Sequence, residues 1–327
     1  VNFCISKDSD RNWKINSSSI IFKYNLLKHF KILNFIINYN LKKIVKPNFD
    51  VLIVTDEPSI FFATFIAIMY AKLRKRRIIT WTESIDSSYN NKMIEKSIKA
   101  KLFFLLIEAF QKYLIYNNSE SIMCFGQLSY NRLRRMKIRK RKYCANQYYP
   151  VDPPILKRTI NKKQFILIYI GYLRRQKGIH LLIDVFNRIS NKNPNTKLLI
   201  LGSGPYESIL KKRTESNRNI IFKGYIDGKE KYEYLINSDI LVLPSLHDAW
   251  GLVANEAIIN NVPVIVTEDT GISTIVNKYH LGIVIKSNSK DDLENAILKL
   301  KNDHEYYLSI KRNIFDNKHV INLNQMM

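Results

Sequence analysis

The chain has 327 residues, a length that predicts two domains of ordinary size. It is 46% hydrophobic and 24% charged, and no apolar run reaches the roughly 20 residues of a membrane-spanning helix, so a disordered chain and a transmembrane bundle are both excluded. Its net charge of +24 favours a polyanionic partner or an anionic membrane surface, the alternative being a lysine-rich composition without such a partner.

The first half alternates apolar strands with helical segments. Strands are predicted for residues 51–56, 77–84 and 121–126, and residues 1–6 could be one more. Helical segments follow these strands, notably around 90–116 and 127–137. The alternation indicates an α/β domain built on a parallel sheet.

A proline cluster separates this half from the rest. Pro150, Pro153 and Pro154 favour extended backbone and stop helices. Residues 150–163 are therefore the predicted linker, between an N-terminal domain of residues 1–150 and a C-terminal domain of residues 151–327.

The second half repeats the same alternation more regularly. Six apolar, β-branched runs are predicted strands: 165–173, 197–204, 220–226, 240–246, 263–269 and 282–287. Between the first two, Ile179, Leu182, Ile183, Phe186 and Ile189 have the spacing of one helical face. Continuous apolar strands separated by amphipathic helices predict a parallel sheet covered on both faces, with ligands at the carboxyl ends of the strands.

Two of the predicted strand ends carry glycine loops. After the first strand, Gly171 is followed by Arg174, Arg175 and Lys177 and then by a helix, which suits a diphosphate. After the second strand, Gly202 and Gly204 would allow close approach of a phosphate. The alternatives are an ordinary basic loop and a tight turn.

A third strand end carries two carboxylates. Asp248 and Glu256 lie eight positions apart, Gly251 opens a helix between them, and Glu256 lies more than one turn inside that helix. Paired carboxylates at strand ends can bind the vicinal hydroxyls of a sugar or a ribose. The alternatives are a helix N-cap for Asp248 and a salt bridge to the other domain for Glu256.

The order of these motifs resembles the nucleotide-binding domain of the retaining glycosyltransferases of family 4, in its bacterial surface-polysaccharide type. The resemblance rests on IGYLRRQKGIHLLIDVF, LLILGSGP, IIFKGYI and ILVLPSLHDAWGLVANEAIINNVPVIVTEDTG. In residues 1–150 it is weaker and rests on VTDEPS, IITWTESID and CFGQLSYNRL. It implies the GT-B fold, two Rossmann-like domains facing a cleft, with the first ~25 residues and the final helix of that fold expected to be missing.

The resemblance also implies roles for individual residues. Glu256 would hold ribose hydroxyls, Asp248 would contact the donor sugar, and Lys177 would neutralise the diphosphate. Further donor contacts are implied for the loop glycines and arginines named above and for Tyr225, Trp250, Gly251 and Leu252. Two departures are that Tyr172 replaces the usual arginine after the loop glycine, and that Asp248 replaces a glutamate.

Glu83, at the end of a first-half strand, is the candidate base or orienting group on the acceptor side. The alternative is a carboxylate on the surface at the strand end. Asp248, Lys177 and Glu83 are together the predicted catalytic residues, although Asp248 is not expected to act as a nucleophile.

The expected substrates are a nucleotide-sugar donor and a glycan or lipid-linked acceptor. No cofactor and no metal are expected, since the cations would stabilise the leaving diphosphate. Three cysteines without CxxC spacing predict a reduced, cytoplasmic compartment.

The basic runs 74–77 and 132–142, together with the apolar stretch 101–116, favour peripheral binding to the inner face of the cell membrane, the alternative being a solvated face. The other hypotheses for the whole chain are a non-catalytic nucleotide-binding relative and a basic nucleic-acid-binding protein. No nucleic acid is expected, because the second-half motifs would then be unexplained.

Overall fold

The structure is a computed structural model, and it divides into two compact units. Unit 1 is Val1–Phe125 with Ser129–Gln147, and unit 2 is Gly126–Leu128 with Tyr148–Met327. The residues that the structure describes are 2–5, 23–26, 29–32, 35–38, 49–56, 61–83, 105–139, 143–147, 153–158 and 164–321.

Unit 1 contains a four-stranded parallel sheet. Its strands, in spatial as well as chain order, are β5 (Val51–Thr55), β6 (Arg77–Glu83), β7 (Ser121–Phe125) and β8 (Tyr143–Gln147). Two small sheets precede it, made by β1 (Asn2–Ile5) with β2 (Lys23–Leu26) and by β3 (His29–Ile32) with β4 (Phe35–Asn38). The strands predicted at 1–6, 51–56, 77–84 and 121–126 are confirmed, whereas β8 was not predicted, because YCANQ carries no apolar β-branched residue.

The helices of this part of the chain follow the predicted order. They are α1 (Phe61–Leu73) after β5 and α2 (Gly126–Arg135) after β7. Between β6 and β7 the chain is helical from residue 105, and it continues through a π-helical turn (Gln111–Ile115) and a 3₁₀ turn (Tyr116–Asn118). Residues 90–104 of the predicted long helix lie outside the described residues.

Unit 2 is built on a six-stranded sheet in which every pair of neighbours is parallel. The strands are β9 (Phe165–Ile170), β10 (Thr196–Leu201), β11 (Ile220–Gly224), β12 (Ile240–Leu243), β13 (Val264–Thr267) and β14 (Gly282–Ile285). Their spatial order is β11-β10-β9-β12-β13-β14. The order reverses between β9 and β12, and such a reversal is where ligands bind in open α/β sheets. All six predicted strands are confirmed.

Helices connect the strands of unit 2. They are α3 (Ile179–Lys192), α4 (Glu207–Lys212), α5 (Gly228–Ile236), α6 (Leu252–Ile259), α7 (Ser273–Lys278), α8 (Lys290–Asn302) and α9 (His304–Asn317). The strands are predominantly apolar because both faces of the sheet are covered. The helical face predicted on α3 is buried at all five of its apolar positions.

Asp239 contacts both the segment of chain that leads into unit 2 and the last helix of unit 2, α9. Asp239 accepts a hydrogen bond from the Arg158 guanidinium at 2.6 Å and one from the backbone N–H of Ile166, also at 2.6 Å. The Tyr307 hydroxyl, on α9, donates to the Asp239 carbonyl at 3.2 Å. These contacts fix the end of the predicted linker and α9 at the amino end of β9 and β12.

A buried ion pair lies at the carboxyl ends of β5 and β6 in unit 1. Asp56 Oδ2 accepts from the Arg132 guanidinium at 3.1 Å and from the Thr82 hydroxyl at 2.8 Å. The Tyr116 hydroxyl also donates to Asp56, and Gln111 accepts from Arg132. All five side chains are buried.

This ion pair corrects the sequence prediction that the whole basic run 132–142 forms a cationic surface. Arg132 points into unit 1, where Asp56 requires a cation because an unpaired buried carboxylate is costly. Arg134 and Arg135, on the same helix, are exposed. Cys124 is buried, as expected for a small core residue.

Among the described residues, no helix combines the length and the apolar character needed to cross a membrane.

Replacing Arg132 by methionine should destabilise unit 1 by about 3–5 kcal/mol, because the Asp56 carboxylate would stay buried without its cation. Hydrogen exchange of β5, β6 and β7, followed by mass spectrometry, measures this loss locally. The matched control is Arg134→Met, an exposed arginine of the same helix, for which we expect a change within about 0.5 kcal/mol. Equal protection in both variants would contradict the assignment of Arg132 to the core of unit 1.

Candidate functional site

The loop after β9 brings Lys177 to the carboxyl edge of the sheet. It ends in a 3₁₀ turn (Arg175–Lys177) and in Gly178, whose φ is +65°. A Cβ on Gly178 would lie 1.8 Å from the Pro244 carbonyl oxygen, so only glycine allows this loop to pack against the end of β12. The loop is thereby held beside the end of β12, and Asp248 lies in the loop that follows this strand.

The arginines of this loop take two different positions. The Arg174 guanidinium lies over the Tyr172 ring, 4.7 Å from its centroid, while Arg175 is exposed. Tyr172, which departs from the family pattern, therefore stacks with a neighbouring cation. Beneath them, the buried Tyr169 hydroxyl donates to the Tyr172 carbonyl at 3.2 Å.

The loop after β10 packs directly on the loop after β9. A Cβ on Gly202, whose φ is +146°, would lie 1.9 Å from the Gly171 carbonyl oxygen, and one on Gly204 would lie 2.5 Å from the Leu173 carbonyl oxygen. The two loops thus require glycine for their own contact, as the tight-turn alternative predicts. The next helix, α4, begins at Glu207, two residues after Pro205.

Asp248, in the loop after β12, forms an ion pair with Lys177. Its Oδ2 accepts from Lys177 Nζ at 2.7 Å, and both side chains are partly buried. Its backbone N–H donates to the Asp269 carbonyl, and its own carbonyl accepts from the Gly271 N–H, both at 3.0 Å. The loops after β9, β12 and β13 are therefore joined at this residue.

The N-cap alternative for Asp248 is wrong. The N-cap of α6 is Gly251, with φ +89°, as the predicted helix start at this glycine requires. Asp248 instead accepts from the Trp250 N–H at 3.4 Å, one residue before that cap. The Trp250 ring is buried and its Nε1 donates to Asn255 at 2.9 Å, whereas Leu252 is half-exposed at the helix start.

Glu256 lies at the fifth position of α6 and contacts two consecutive residues of α5. Its Oε1 accepts from Lys231 Nζ at 2.9 Å and from the Tyr232 hydroxyl at 3.1 Å. The side chains of Glu256 and Lys231 are 15% and 16% exposed. The alternative of a salt bridge to the other domain is therefore wrong, since the partner lies in unit 2.

The protonation states of the contacts to Glu256 follow from their surroundings. Burial by itself lowers the pKa of Lys231, but the charge and hydrogen bond of Glu256 outweigh burial and leave that pKa above the ordinary value of lysine. Burial, and then the Glu256 charge, raises the pKa of Tyr232. At neutral pH Lys231 is therefore a cation, and the Tyr232 hydroxyl keeps its proton and donates it.

Tyr225, one of the implied donor contacts, follows β11 at the same edge of the sheet. Its ring is half-exposed, and its hydroxyl donates to Asp227 at 3.2 Å. Burial and then the Asp227 charge raise its pKa, and the positive charge of Lys231 acts on Tyr225 in the opposite sense. Tyr225 is thus close enough to Lys231 for the lysine charge to act on it.

The edge of the sheet in unit 2 therefore carries two lysine–carboxylate pairs, Lys177–Asp248 and Lys231–Glu256. Among the residues that the structure describes, no group of three or more histidine, cysteine, aspartate or glutamate side chains could hold a metal ion. Glu83 is the last residue of β6, and its side chain lies outside the described part of the chain.

Sequence reasoning missed Lys231 and Tyr232. The one available signal was the position of Glu256 inside an apolar helix, which implies a partner. It did not identify that partner, because Lys231 is 25 residues away and on another helix.

Comparison with known sequences gives one family match and several relatives. Residues 155–316 match the family of the glycosyl transferases group 1. The chain is 30% identical over 154 residues to a capsular polysaccharide biosynthesis glycosyltransferase, CapM, of Staphylococcus aureus, covering 46% of this chain and 40% of the relative. It is 28% identical over 153 residues to TuaC of Bacillus subtilis, a putative teichuronic acid biosynthesis glycosyltransferase, covering 47% of this chain and 37% of the relative. The matched part thus spans about two fifths of these relatives.

Solved structures share the fold over most of the chain. The Anabaena protein HepE, solved with UDP and glucose, has a TM-score of 0.66 at 14% identity, covering 86% of this chain and 77% of HepE. WaaG, a glycosyltransferase involved in lipopolysaccharide biosynthesis, has a TM-score of 0.55 at 16% identity, covering 77% of this chain and 76% of WaaG. The predicted fold class is confirmed: the chain has the GT-B fold with two Rossmann-like domains, and its residues 155–316 are similar to the glycosyl transferases group 1.

Proposed function

We propose that this protein is a retaining glycosyltransferase, which moves a sugar from a nucleotide-sugar donor to a glycan acceptor, free or lipid-linked, in the synthesis of a surface polysaccharide. The observation that carries the proposal is the presence of two lysine–carboxylate pairs in the loops and helices that follow the strands at the carboxyl edge of the sheet in unit 2. The capsular and teichuronic roles in the names of the relatives support the polysaccharide class.

The donor would lie along this edge, with its ribose, its base and its diphosphate each next to side chains or backbone groups that can bind it. Glu256 would accept hydrogen bonds from ribose hydroxyls, and Tyr225 would contact the base. The diphosphate would lie near Lys177 and the start of α6, where backbone N–H groups and the helix dipole favour an anion. Arg174 or Arg175 would add charge in place of the arginine that Tyr172 replaces.

Lys177 and Asp248 would exchange partners when the donor binds. Lys177 Nζ now contacts Asp248 at 2.7 Å, and a diphosphate would offer this ammonium a stronger anion. Asp248 Oδ2 would then accept a hydroxyl of the donor sugar. This exchange explains how a loop already stabilised by its own ion pair can still bind a charged ligand.

The main requirement of the reaction is that the protein stabilises the leaving diphosphate. It does not require a nucleophile from the protein. The bond between the anomeric carbon and the diphosphate oxygen breaks, an acceptor oxygen bonds to the same face of that carbon, and the acceptor proton passes to the departing diphosphate. Fixed cations beside the diphosphate lower this barrier most. We therefore propose that no metal or other cofactor takes part.

The acceptor is assigned to unit 1 by the sequence argument alone. Glu83, at the end of β6, would orient the acceptor hydroxyl, whose proton passes to the departing diphosphate. Exposed arginines and lysines around 134–139 and exposed apolar side chains such as Leu105, Leu106 and Phe110 suit an anionic membrane surface bearing a lipid-linked acceptor. We accordingly propose a cytoplasmic protein, peripheral at the inner face of the membrane.

Nucleotide binding is the first test, measured as the shift in melting temperature with UDP, GDP, ADP and their sugars. A ligand at about 100 times its Kd adds about 2.7 kcal/mol, or roughly 5–10 °C for a domain of this size. Lys177→Ala and Glu256→Ala should each weaken binding at least about tenfold, because each removes a charged contact.

The control for these variants is the exposed pair Lys229 and Glu233 on α5. Lys229→Ala and Glu233→Ala should bind like the wild type. A folded wild type that no nucleotide stabilises would contradict the proposed donor site.

Turnover is tested with the donor identified above and a panel of lipid-linked and free glycans. We expect transfer that EDTA leaves unchanged, because Lys177 and the loop arginines supply the positive charge, and a product with the anomeric configuration of the donor by NMR. Loss of activity with EDTA that is restored by a divalent cation would contradict the metal-free step, and inversion would contradict retention. Nucleotide binding without any transfer or donor hydrolysis would favour the non-catalytic relative.

Membrane binding is tested by co-sedimentation with vesicles of phosphatidylglycerol or of phosphatidylcholine alone. We expect binding to the anionic vesicles that falls at least about 100-fold in the triple variant Arg134→Glu, Arg135→Glu, Lys137→Glu, since each cation near the surface contributes about 1 kcal/mol. The control is Lys192→Glu, Lys211→Glu, Lys212→Glu, which changes the net charge equally in unit 2. An equal loss of vesicle binding in the two triple variants would contradict the proposal. Net charge, and not the position of Arg134, Arg135 and Lys137, would then drive binding.

A further inference from the structure

The two contacts that Glu256 makes across to α5 fall on the same carboxylate oxygen. Lys231 Nζ and the Tyr232 hydroxyl both donate to Oε1, at 2.9 and 3.1 Å. A carboxylate oxygen has two lone pairs, so these donors occupy Oε1. Within the described part of the chain, no residue donates a hydrogen bond to Oε2. The carboxylate is therefore divided into one oxygen held by the protein and one oxygen able to accept from a ligand.

The position of Lys231 keeps its contact on Oε1 of Glu256 and leaves Oε2 without it. Consecutive helical residues point about 100° apart, yet Lys231 and Tyr232 reach the same atom. In this arrangement the Lys231 ammonium also lies over the Tyr232 ring, 4.4 Å from its centroid. The lysine is thus constrained by an ion pair, a cation–π contact and burial, and it fixes the rotation of the Glu256 carboxylate.

Lys231 also cancels the charge of Glu256. An isolated carboxylate at this edge of the sheet would repel a diphosphate bound to the neighbouring loops. The paired carboxylate keeps its acceptor strength for hydroxyl groups while adding no net charge. This combination suits a ligand that has vicinal hydroxyls at one point and phosphates at another.

We propose that Lys231, with Tyr232, is a positioning residue that presents Glu256 Oε2 to the 2′- and 3′-hydroxyls of the donor, so that the protein selects a ribonucleoside diphosphate over one lacking those hydroxyls. The inference rests on the proposed function, because it takes Glu256 as the ribose contact. Lys231 acts through Glu256 and is not itself a catalytic residue.

The experiment compares each nucleotide with its 2′,3′-dideoxy form by calorimetry, using UDP, GDP and ADP with the full chain. Wild type should bind the best of these at least tenfold more tightly than its dideoxy form. Lys231→Met should reduce that ratio to near one by weakening binding of the ribonucleotide alone. Lys231→Arg should restore part of the ratio, and Tyr232→Phe should reduce it by less than Lys231→Met.

The matched control is Lys229→Met, which removes an exposed lysine from the same helix and should leave the ratio unchanged. Equal weakening of both nucleotides in Lys231→Met would overturn the inference, since Lys231 would then contact the phosphates or support the fold. A wild type that binds both forms equally would also overturn it. If none of the three nucleotides binds, the proposed function is refuted together with the inference. If a nucleotide binds but the dideoxy form binds equally, only the inference is refuted.

Discussion

The parallel alignment of the six strands in unit 2 is the constraint on which its candidate site depends. Because every strand runs in the same direction, the loops after β9, β10, β11, β12 and β13 all emerge at one edge. The reversal of strand order between β9 and β12 brings Lys177 against Asp248. Gly178 allows that approach, since any side chain there would collide with the end of β12.

A second regularity concerns the buried and partly buried carboxylates that the structure describes. Asp56, Asp239, Asp248 and Glu256 each contact a lysine or an arginine, although they lie in different parts of the two units. Burial of a carboxylate is costly unless a cation and hydrogen bonds compensate it. The Asp56 pair joins elements of unit 1, and the Asp239 pair lies at the amino end of β9 and β12 in unit 2. The pairs of Asp248 and Glu256 lie in the loops and helices at the carboxyl edge of the same sheet. A charged ligand at this edge could compete for Lys177 or Lys231, the cations of these last two pairs.

Much of this arrangement could be predicted from patterns along the chain, and the failures have physical reasons. The strands of unit 2 were predicted because a doubly covered parallel sheet needs continuous apolar runs. The strand β8 was missed because its sequence is polar for a strand. Arg132 was assigned to a cationic surface because it lies within a basic run, but the buried Asp56 requires it. The acceptor role of Glu83 stays a prediction.

By itself, the sequence determined the alternation of strands and helices, the positions of the glycine loops and the identity of one lysine and two carboxylates in the candidate site. Those features depend on local periodicity and on residue type, which can be read along the chain. The tertiary structure alone decided which cation each carboxylate contacts. Lys231 and Glu256 meet although they are 25 residues apart in the chain and lie on two different helices, α5 and α6. No local pattern of residues encodes such a contact.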